Sequence, residues 1–273
     1  MYGLAYSIND PAGAGIARAL RDKMGLSESS VCKNSITCFQ GGNIVLAGFR
    51  EDVIYFDFLD DRMPPEVEIY IILSRHSSEA RVKSYTVHHT GNFGGNALYG
   101  GNPGELGISS PMVSWLLLRA LHDSWRNSSR AEYEVSYEAT HHGPTSLSKP
   151  LVFVEIGSSV DEWGDPSNHF IIASSIVKLL ESPPADCKPV IGIGGGHYPR
   201  KHTEIALKEN VCYGHIIPKY ALQHLSQEIL DKMISRSDID VRGIIVEKKG
   251  TRIEHRSLIE DYASRRGIEV RYV

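Results

Sequence analysis

The strongest constraint on the fold is an alternation of short apolar runs with amphipathic segments over the second half of the chain. The predicted order is strand 151–156, helix 168–180, strand 190–193, helix 201–208, strand 211–217, helix 219–233, strand 241–246, helix 253–266 and strand 269–273. Such alternation is typical of a parallel or mixed sheet covered by helices. We therefore predict an α/β fold with a mixed, mainly parallel sheet and helices on both faces.

The first half of the chain continues the same pattern less regularly. It predicts strand 3–7, helix 12–24, a strand pair at 43–49 and 53–58, strand 67–73, strand 84–87, a helix over about 111–125 and strand 135–140. A chain of 273 residues is long enough to bury a sizeable core. We expect residues 1–273 to form one compact catalytic unit, possibly with two intimately packed lobes.

Composition narrows the location and the chemistry. Hydrophobic residues make up 41% of the chain, but no apolar run approaches the roughly 20 residues that span a bilayer. The residues after Met1 lack the basic start of a signal peptide, so we expect a cytoplasmic protein without membrane association. The four cysteines form no CxxC pair, which favours free thiols.

Charge is distributed unevenly along the chain. Residues 241–273 contain eight basic and five acidic residues, a net charge of +3, whereas the whole chain has −4. This segment is either a surface that guides a polyanion or a solvated helix face.

Four short histidine motifs follow β-like runs. They are Thr86-Val87-His88-His89-Thr90-Gly91-Asn92, Ala139-Thr140-His141-His142-Gly143-Pro144, Gly194-Gly195-Gly196-His197-Tyr198 and Tyr213-Gly214-His215-Ile216-Ile217-Pro218. Loops that follow the strands of an α/β sheet carry ligands and catalytic groups, and neighbouring parallel strands end at one edge. We therefore expect His88, His141, His197 and His215 to converge in one pocket.

Metal binding suits these motifs, because neutral imidazole is a good zinc ligand and catalytic zinc sites commonly have three protein ligands. Neighbouring residues of a strand face opposite sides, so His88 and His89 should diverge, whereas a bend before Gly143 would bring His141 and His142 to one site. Glu155 lies in a run so apolar that its carboxylate needs a partner. It is the candidate acid, base or metal ligand, or else half of an ion pair with a structural Lys or Arg.

Two glycine-rich stretches are also candidates for function. The run from Gly192 to Gly196 departs from a dinucleotide-binding motif, since His197 stands where its third glycine would be. Its amides suit an oxyanion or phosphate nest instead. The stretch 91–107 is either a mobile substrate-covering loop or a plain surface connection. No Gly-x-Ser-x-Gly elbow is present, which counts against a serine hydrolase.

Taken together, the motifs at 86–94, 138–144, 153–158, 194–198 and 214–220 resemble the signature set of the archaeal and plant type of D-aminoacyl-tRNA deacylase, over essentially the whole chain. The resemblance implies hydrolysis of the ester between a D-amino acid and the terminal ribose of tRNA, with broad side-chain tolerance. It also implies a monomer, zinc dependence with two Zn²⁺ per chain, and one lobe similar to peptidyl-tRNA hydrolase and phosphorylase folds.

Candidate roles follow from the motifs and the resemblance together. We take Glu155, His197 and Thr90 as candidate catalytic residues, and Gly194, Gly195, Gly196 and Lys219 as candidate substrate-binding residues. The candidate metal ligands are His88, His141, His142, His215 and Glu138. The residues alone leave open whether zinc or the ribose hydroxyl of the tRNA drives hydrolysis. They also leave open a zinc-dependent amidase or peptidase and a non-catalytic protein that binds the tRNA end.

Overall fold

The computed structural model describes residues 1–77, 81–183 and 185–273. Its strands in chain order are β1 (Tyr2–Ser7), β2 (Ser27–Glu28), β3 (Thr37–Gly41), β4 (Ile44–Phe49), β5 (Ile69–Ser77), β6 (Ser84–His88), β7 (Glu134–Tyr137), β8 (Leu151–Ser158), β9 (Lys188–Ile193), β10 (Val211–Ile217), β11 (Gly243–Val246) and β12 (Glu269–Tyr272). Its α-helices are α1 (Pro11–Met24), α2 (Leu59–Arg62), α3 (Pro111–Arg126), α4 (Val160–Trp163), α5 (Pro166–Glu181), α6 (Arg200–Lys208), α7 (Gln227–Ser235) and α8 (Ile253–Arg266).

The strands form two sheets. The first has eight strands in the order β2-β3-β4-β1-β5-β8-β6-β7, and the second has four in the order β10-β9-β11-β12. The second sheet is parallel throughout, whereas β6 runs antiparallel to β8 in the first. Helix α3 contacts strands of both sheets, and one hydrophobic core includes apolar residues of both. The predicted α/β class with a mainly parallel arrangement is therefore confirmed.

Local sequence signals explain where the longer helices begin and end. At the start of α1, the Asp10 carboxylate accepts hydrogen bonds from the backbone N–H groups of Ala12 and Gly13. Gly25 ends the same helix with φ of +61°, a conformation that costs glycine little. Proline occupies the first turn of α1, α3 and α5, where its missing N–H has no helical partner to lose.

Two predicted elements are wrong. The stretch 53–58 is not a strand but contains a 3₁₀ helix, Val53–Tyr55, because Asp52 caps its first turn and Phe56 packs edge-on against Phe49. Strand β4 pairs with β3 and β1 instead. The helix predicted over 219–233 is divided into a 3₁₀ helix, Lys219–His224, and α7, since Ser226 caps a new helix by accepting a hydrogen bond from the Ile229 N–H.

The expectation of free thiols is also wrong. Cys32 pairs with Cys38 and Cys187 with Cys212, at Cα–Cα distances of 5.9 and 5.7 Å. The second pair forms because β9 and β10 are parallel neighbours that bring Pro189 opposite Cys212. Residues 25 positions apart therefore meet for a reason that cysteine spacing does not reveal.

Among the described residues, no helix combines the length and apolar character that crossing a membrane requires.

Candidate active site and metal centre

The first sheet gathers three polar side chains on one face. Glu155 lies within β8, opposite Ser74 of β5 and Thr86 of β6. Because side chains alternate between faces, His76 and His88, each two residues further along its strand, point to the same side as these partners. The Nδ1 atom of His76 lies 3.3 Å from Oε2 of Glu155, and Nε2 of His88 lies 3.7 Å from the same oxygen.

A second carboxylate, Glu138, follows β7 and completes the centre of the site. Its Oε1 lies 3.1 Å from Nδ1 of His76, and its Oε2 lies 2.8 Å from Nε2 of His197 and 3.6 Å from Nε2 of His141. Both Glu138 and Glu155 are almost completely buried. We call this set of imidazoles and carboxylates, together with His142, the histidine–glutamate cluster.

The electrostatics of the cluster follow from burial and mutual pairing. Burial favours neutral carboxyls, but the close approach of His197 and His76 to Glu138, and of His76 and His88 to Glu155, outweighs it and lowers both carboxyl pKa values. Burial likewise opposes the charge of His76, yet Glu138 and Glu155 raise its pKa far above the ordinary value. The two carboxylates are therefore ionised at neutral pH, and they favour a positive charge at His76, either its proton or a metal cation that would displace that proton.

His88, His141 and His142 form a compact trio within this cluster. Their ring centroids are 4.3 to 4.9 Å apart. The Nδ1 of each ring faces a backbone carbonyl oxygen, that of His89 at 3.2 Å, Ala139 at 2.8 Å and Gly143 at 2.6 Å. A proton on Nδ1 leaves each Nε2 lone pair available, which is how proteins orient metal-bound imidazoles.

Burial lowers the pKa of His142 to about 4 and that of His141 well below its ordinary value. Both are therefore neutral at pH 7, the protonation state that binds a metal. His142 has φ of +45°, which turns the chain and brings both of these rings to one place, as predicted for the bend before Gly143.

The residues present fit two adjacent metal ions. One group consists of the trio, and another of His76, Glu138 and His197, each with potential ligand atoms within 4.8 Å of one another. Within the described part of the chain, Nε2 of His88 and both carboxylate oxygens of Glu138 are buried without an aligned hydrogen bond. Orphaned buried acceptors of this kind are satisfied by a cation, and imidazole with carboxylate is a donor set that suits zinc.

His215 is not in this cluster, so the predicted convergence is wrong for it. It lies beside His89, at 5.9 Å between ring centroids. Its Nδ1 faces Oγ1 of Thr140, and its Nε2 faces the carbonyl oxygens of Gly107 and Arg236, at 3.1 to 3.3 Å. His215 lies within β10 rather than after its end, and its ring faces these oxygens instead of Glu138 and Glu155.

Thr90 and the glycine loop support the cluster from outside. The Thr90 hydroxyl donates to the Pro144 carbonyl oxygen at 2.6 Å, which anchors the loop that carries His141 and His142. The Gly194 N–H donates to the Ile217 carbonyl oxygen at 2.9 Å, so it is not available for the predicted oxyanion nest. Gly194 and Gly195 have φ of +96° and +85°, which only glycine adopts readily, and the turn they form leads into His197.

Lys219 begins the 3₁₀ helix next to the site. Its backbone N–H donates to the Gly195 carbonyl oxygen, and its side chain is exposed beside Gly250.

His76 was missed by sequence reasoning because the predicted strand stopped at residue 73. The apolar run followed by Arg75 and His76 carries the same signal as the other motifs, a histidine at the end of a strand.

A cavity of about 850 Å³ opens above the cluster. Glu155, His76, His141, His142 and His197 form its floor, whereas Glu138 lies behind them and does not line it. Residues of the stretch 91–107, among them Phe93 and Tyr99, form one wall, and the 3₁₀ helix that begins at Lys219 forms another. Residues of the stretch thus line the cavity above the cluster, and its role as a mobile, substrate-covering loop stays a prediction.

An α/β protein with buried carboxylates and imidazoles at the floor of an open cavity has a site of the kind found in enzymes. The D-aminoacyl-tRNA deacylase family profile matches residues 63–271. The chain belongs to the D-aminoacyl-tRNA deacylase family.

Relatives support the same assignment over their full length. Proteins named D-aminoacyl-tRNA deacylase are 60% identical in Staphylothermus marinus and 58% in Desulfurococcus amylolyticus, and the matches cover 100% of this chain and 99% and 100% of theirs. A solved structure, described as a conserved protein of unknown function, is 30% identical and superposes with a TM-score of 0.92, covering 100% of this chain and 95% of that one.

Proposed function

We propose that the protein hydrolyses the ester bond between a D-amino acid and the terminal ribose of tRNA, releasing free tRNA and the D-amino acid. Membership of the D-aminoacyl-tRNA deacylase family supports the reaction. The single observation that carries it at this site is the pair of ionised buried carboxylates beneath an open cavity. Such groups stay ionised at neutral pH, so they are available as proton acceptors or as metal ligands.

Two Zn²⁺ ions are proposed as cofactors. The trio His88, His141 and His142 would hold one, and His76, Glu138 and His197 would hold the other. When bound, zinc would lower the pKa of water and polarise the ester carbonyl. The available lone pairs on the trio and the orphaned oxygens of Glu138 support this assignment.

Glu155 is the proposed general base, with its Oε2 as the proton acceptor. Of the two carboxylates it is the one that lines the cavity, and His76 and His88 hold it in place. His197 also lines the cavity and pairs with Glu138, so it is placed to orient the ester or the departing ribose oxygen. A ribose hydroxyl of the substrate could share the proton transfer without changing these positions.

The proposed specificity rests on the size of the cavity and on the family. A volume of about 850 Å³ leaves room for varied side chains around a fixed ester, which supports broad tolerance for D-amino acids. We further propose that residues 1–273 act as one catalytic unit, as a cytoplasmic monomer without a membrane partner.

The decisive experiment compares D- and L-tyrosyl-tRNA as substrates, with the protein as prepared, after treatment with a chelator and after zinc is restored. Cleavage of the D-form alone, lost with the chelator and regained with zinc, is the expected result. Hydrolysis of simple peptides instead would favour a zinc peptidase. Binding of tRNA without turnover in any metal state would favour a non-catalytic protein.

A further inference from the structure

Two large aromatic side chains stand exposed at the mouth of the cavity. Tyr99 is 69% exposed and Tyr220 is 56% exposed, and both line the cavity above the histidine–glutamate cluster. Across the described ranges, neither ring stacks on an aromatic or cationic side chain, and neither hydroxyl has a hydrogen-bond partner. Exposed tyrosines without protein partners at a ligand cavity are well suited to bind a flat ring.

The two rings come from different walls. The Tyr99 carbonyl oxygen accepts the N–H of Gly143, so this part of the wall is tied to the turn that carries His142. Tyr220 belongs to the 3₁₀ helix Lys219–His224, and its neighbours Pro218 and Ala221 line the cavity with it. The two rings therefore approach the cavity from separate segments of the chain.

The wall bearing Tyr99 is held by polar anchors. The side-chain amide of Asn92 donates to the Gly100 carbonyl oxygen at 2.9 Å, and the Asn102 N–H donates to the Thr145 hydroxyl at 2.8 Å. A ring presented by an anchored loop loses little conformational entropy when a ligand stacks on it, which favours a preformed binding site.

Positive charge lies beside Tyr220. Lys219 precedes it and contacts Gly250, which belongs to the same turn as Lys248 and Lys249. Among the described residues these three lysines form no ion pair, whereas Arg265, Arg266 and Arg271 of the same basic segment pair with acidic neighbours. Unpaired lysines next to an aromatic ring complement a nucleotide, which combines a flat base with a negative phosphate.

We propose that Tyr99 and Tyr220 bind the base of the 3′-terminal nucleotide of tRNA by stacking, while its ester reaches the cluster and its phosphate faces Lys219. This proposal rests on the proposed function, and it identifies the part of the substrate that the mouth of the cavity binds. Stacking does not depend on the hydrogen-bonding edge of the base. The two tyrosine rings therefore position the ester without selecting one base over another.

The test uses Tyr99→Ala and Tyr220→Ala with D-alanyl-tRNA, either intact or prepared without its terminal base. Each variant should lose about 10- to 100-fold in kcat/KM on the intact tRNA, since one base–aromatic stack is worth about 1–3 kcal/mol. The wild-type protein should lose more than this when the base is removed, because both stacks are then lost. On the tRNA without the base, each variant should be almost as active as the wild type. Tyr220→Phe keeps the ring and should lose much less kcat/KM on the intact tRNA than Tyr220→Ala, because stacking does not need the hydroxyl.

Tyr55→Ala is the matched control, because Tyr55 is 53% exposed but does not line the cavity. It should leave both substrates unaffected, and unchanged melting temperatures would show that the variants fold. Equal losses of kcat/KM on the tRNAs with and without the terminal base would overturn the proposal. A loss seen with D-tyrosyl but not with D-alanyl esters would also overturn it, because the rings would then bind the amino acid side chain. A wild-type protein that cleaves neither tRNA would refute the proposed function itself.

Discussion

Among the described residues, two groups of histidines differ in which ring nitrogen atoms the protein itself uses. In the trio only His88 is buried and the other two are half-buried, whereas both members of the second group are buried. In the trio of His88, His141 and His142, each Nδ1 faces a backbone carbonyl oxygen. Each Nε2 is therefore available to face the other rings of the trio and the carboxylates of the cluster. In the pair, His89 and His215 have both ring nitrogens beside backbone or hydroxyl oxygens. Burial alone therefore does not mark a functional histidine, whereas an available lone pair beside a carboxylate does.

The largest effect that would test this contrast comes from the carboxylate of the cluster. Glu155→Gln keeps the shape of the side chain but removes the base, so kcat should fall by about 10²- to 10⁴-fold. Single-turnover cleavage of D-tyrosyl-tRNA measures it, with circular dichroism as the control for folding. Activity within about threefold of wild type would exclude Glu155 as the base.

Zinc content should separate the trio from the pair. His142→Ala removes one of the three proposed imidazole ligands and should lower both bound zinc and activity by at least about tenfold. His215→Gln should retain the zinc of the wild-type protein, because His215 lies outside the cluster. Metal analysis after dialysis provides the measurement, and equal zinc loss in both variants would contradict the assignment of the trio.

The stability of the fold should instead depend on the pair formed by His89 and His215. His215→Ala removes the imidazole beside the Gly107 carbonyl oxygen and opens a cavity, so the free energy of unfolding should fall by about 2–4 kcal/mol. Chemical denaturation at pH 7 measures this change. A loss below about 0.5 kcal/mol would mean that the pair contributes little to the fold.

The pair should also make stability depend on pH. Burial lowers the pKa of His215 to about 4, whereas an unfolded histidine titrates near 6.5. Between these values the unfolded chain binds more protons, so stability is complete above about pH 6.5 and decreases as pH falls toward 4, by up to about 3 kcal/mol.

The matched variant for this titration is His215→Gln, which does not titrate. Its stability at pH 7 should be lower than that of the wild type, but its decrease between pH 6.5 and 4 should be smaller. Buried His202, whose pKa burial also lowers to about 4, remains in both proteins and contributes equally to the two curves. Parallel curves for wild type and variant would show that His215 does not contribute to the acid sensitivity.

Much of the fold could be predicted because each signal is local. Apolar periodicity, helix caps and prolines located most strands and helices of the second half and the class of the fold. The break between the 3₁₀ helix and α7 was missed, since Ser226 as a cap competes with a helical pattern that continues through it. The disulfides were missed because strand pairing, not spacing, brings the cysteines together.

The sequence by itself determined that histidines would follow strands, that Glu155 would need a partner, and that His141 and His142 would turn toward one place at the bend. Only the tertiary structure decided which histidines meet. His76 joins the cluster because β5 lies beside β8. His215 is excluded from it because it lies within β10, where its ring faces Thr140 and the Gly107 carbonyl oxygen. Strand order depends on contacts between distant residues, so no local pattern could distinguish a metal-binding histidine from one that is only buried.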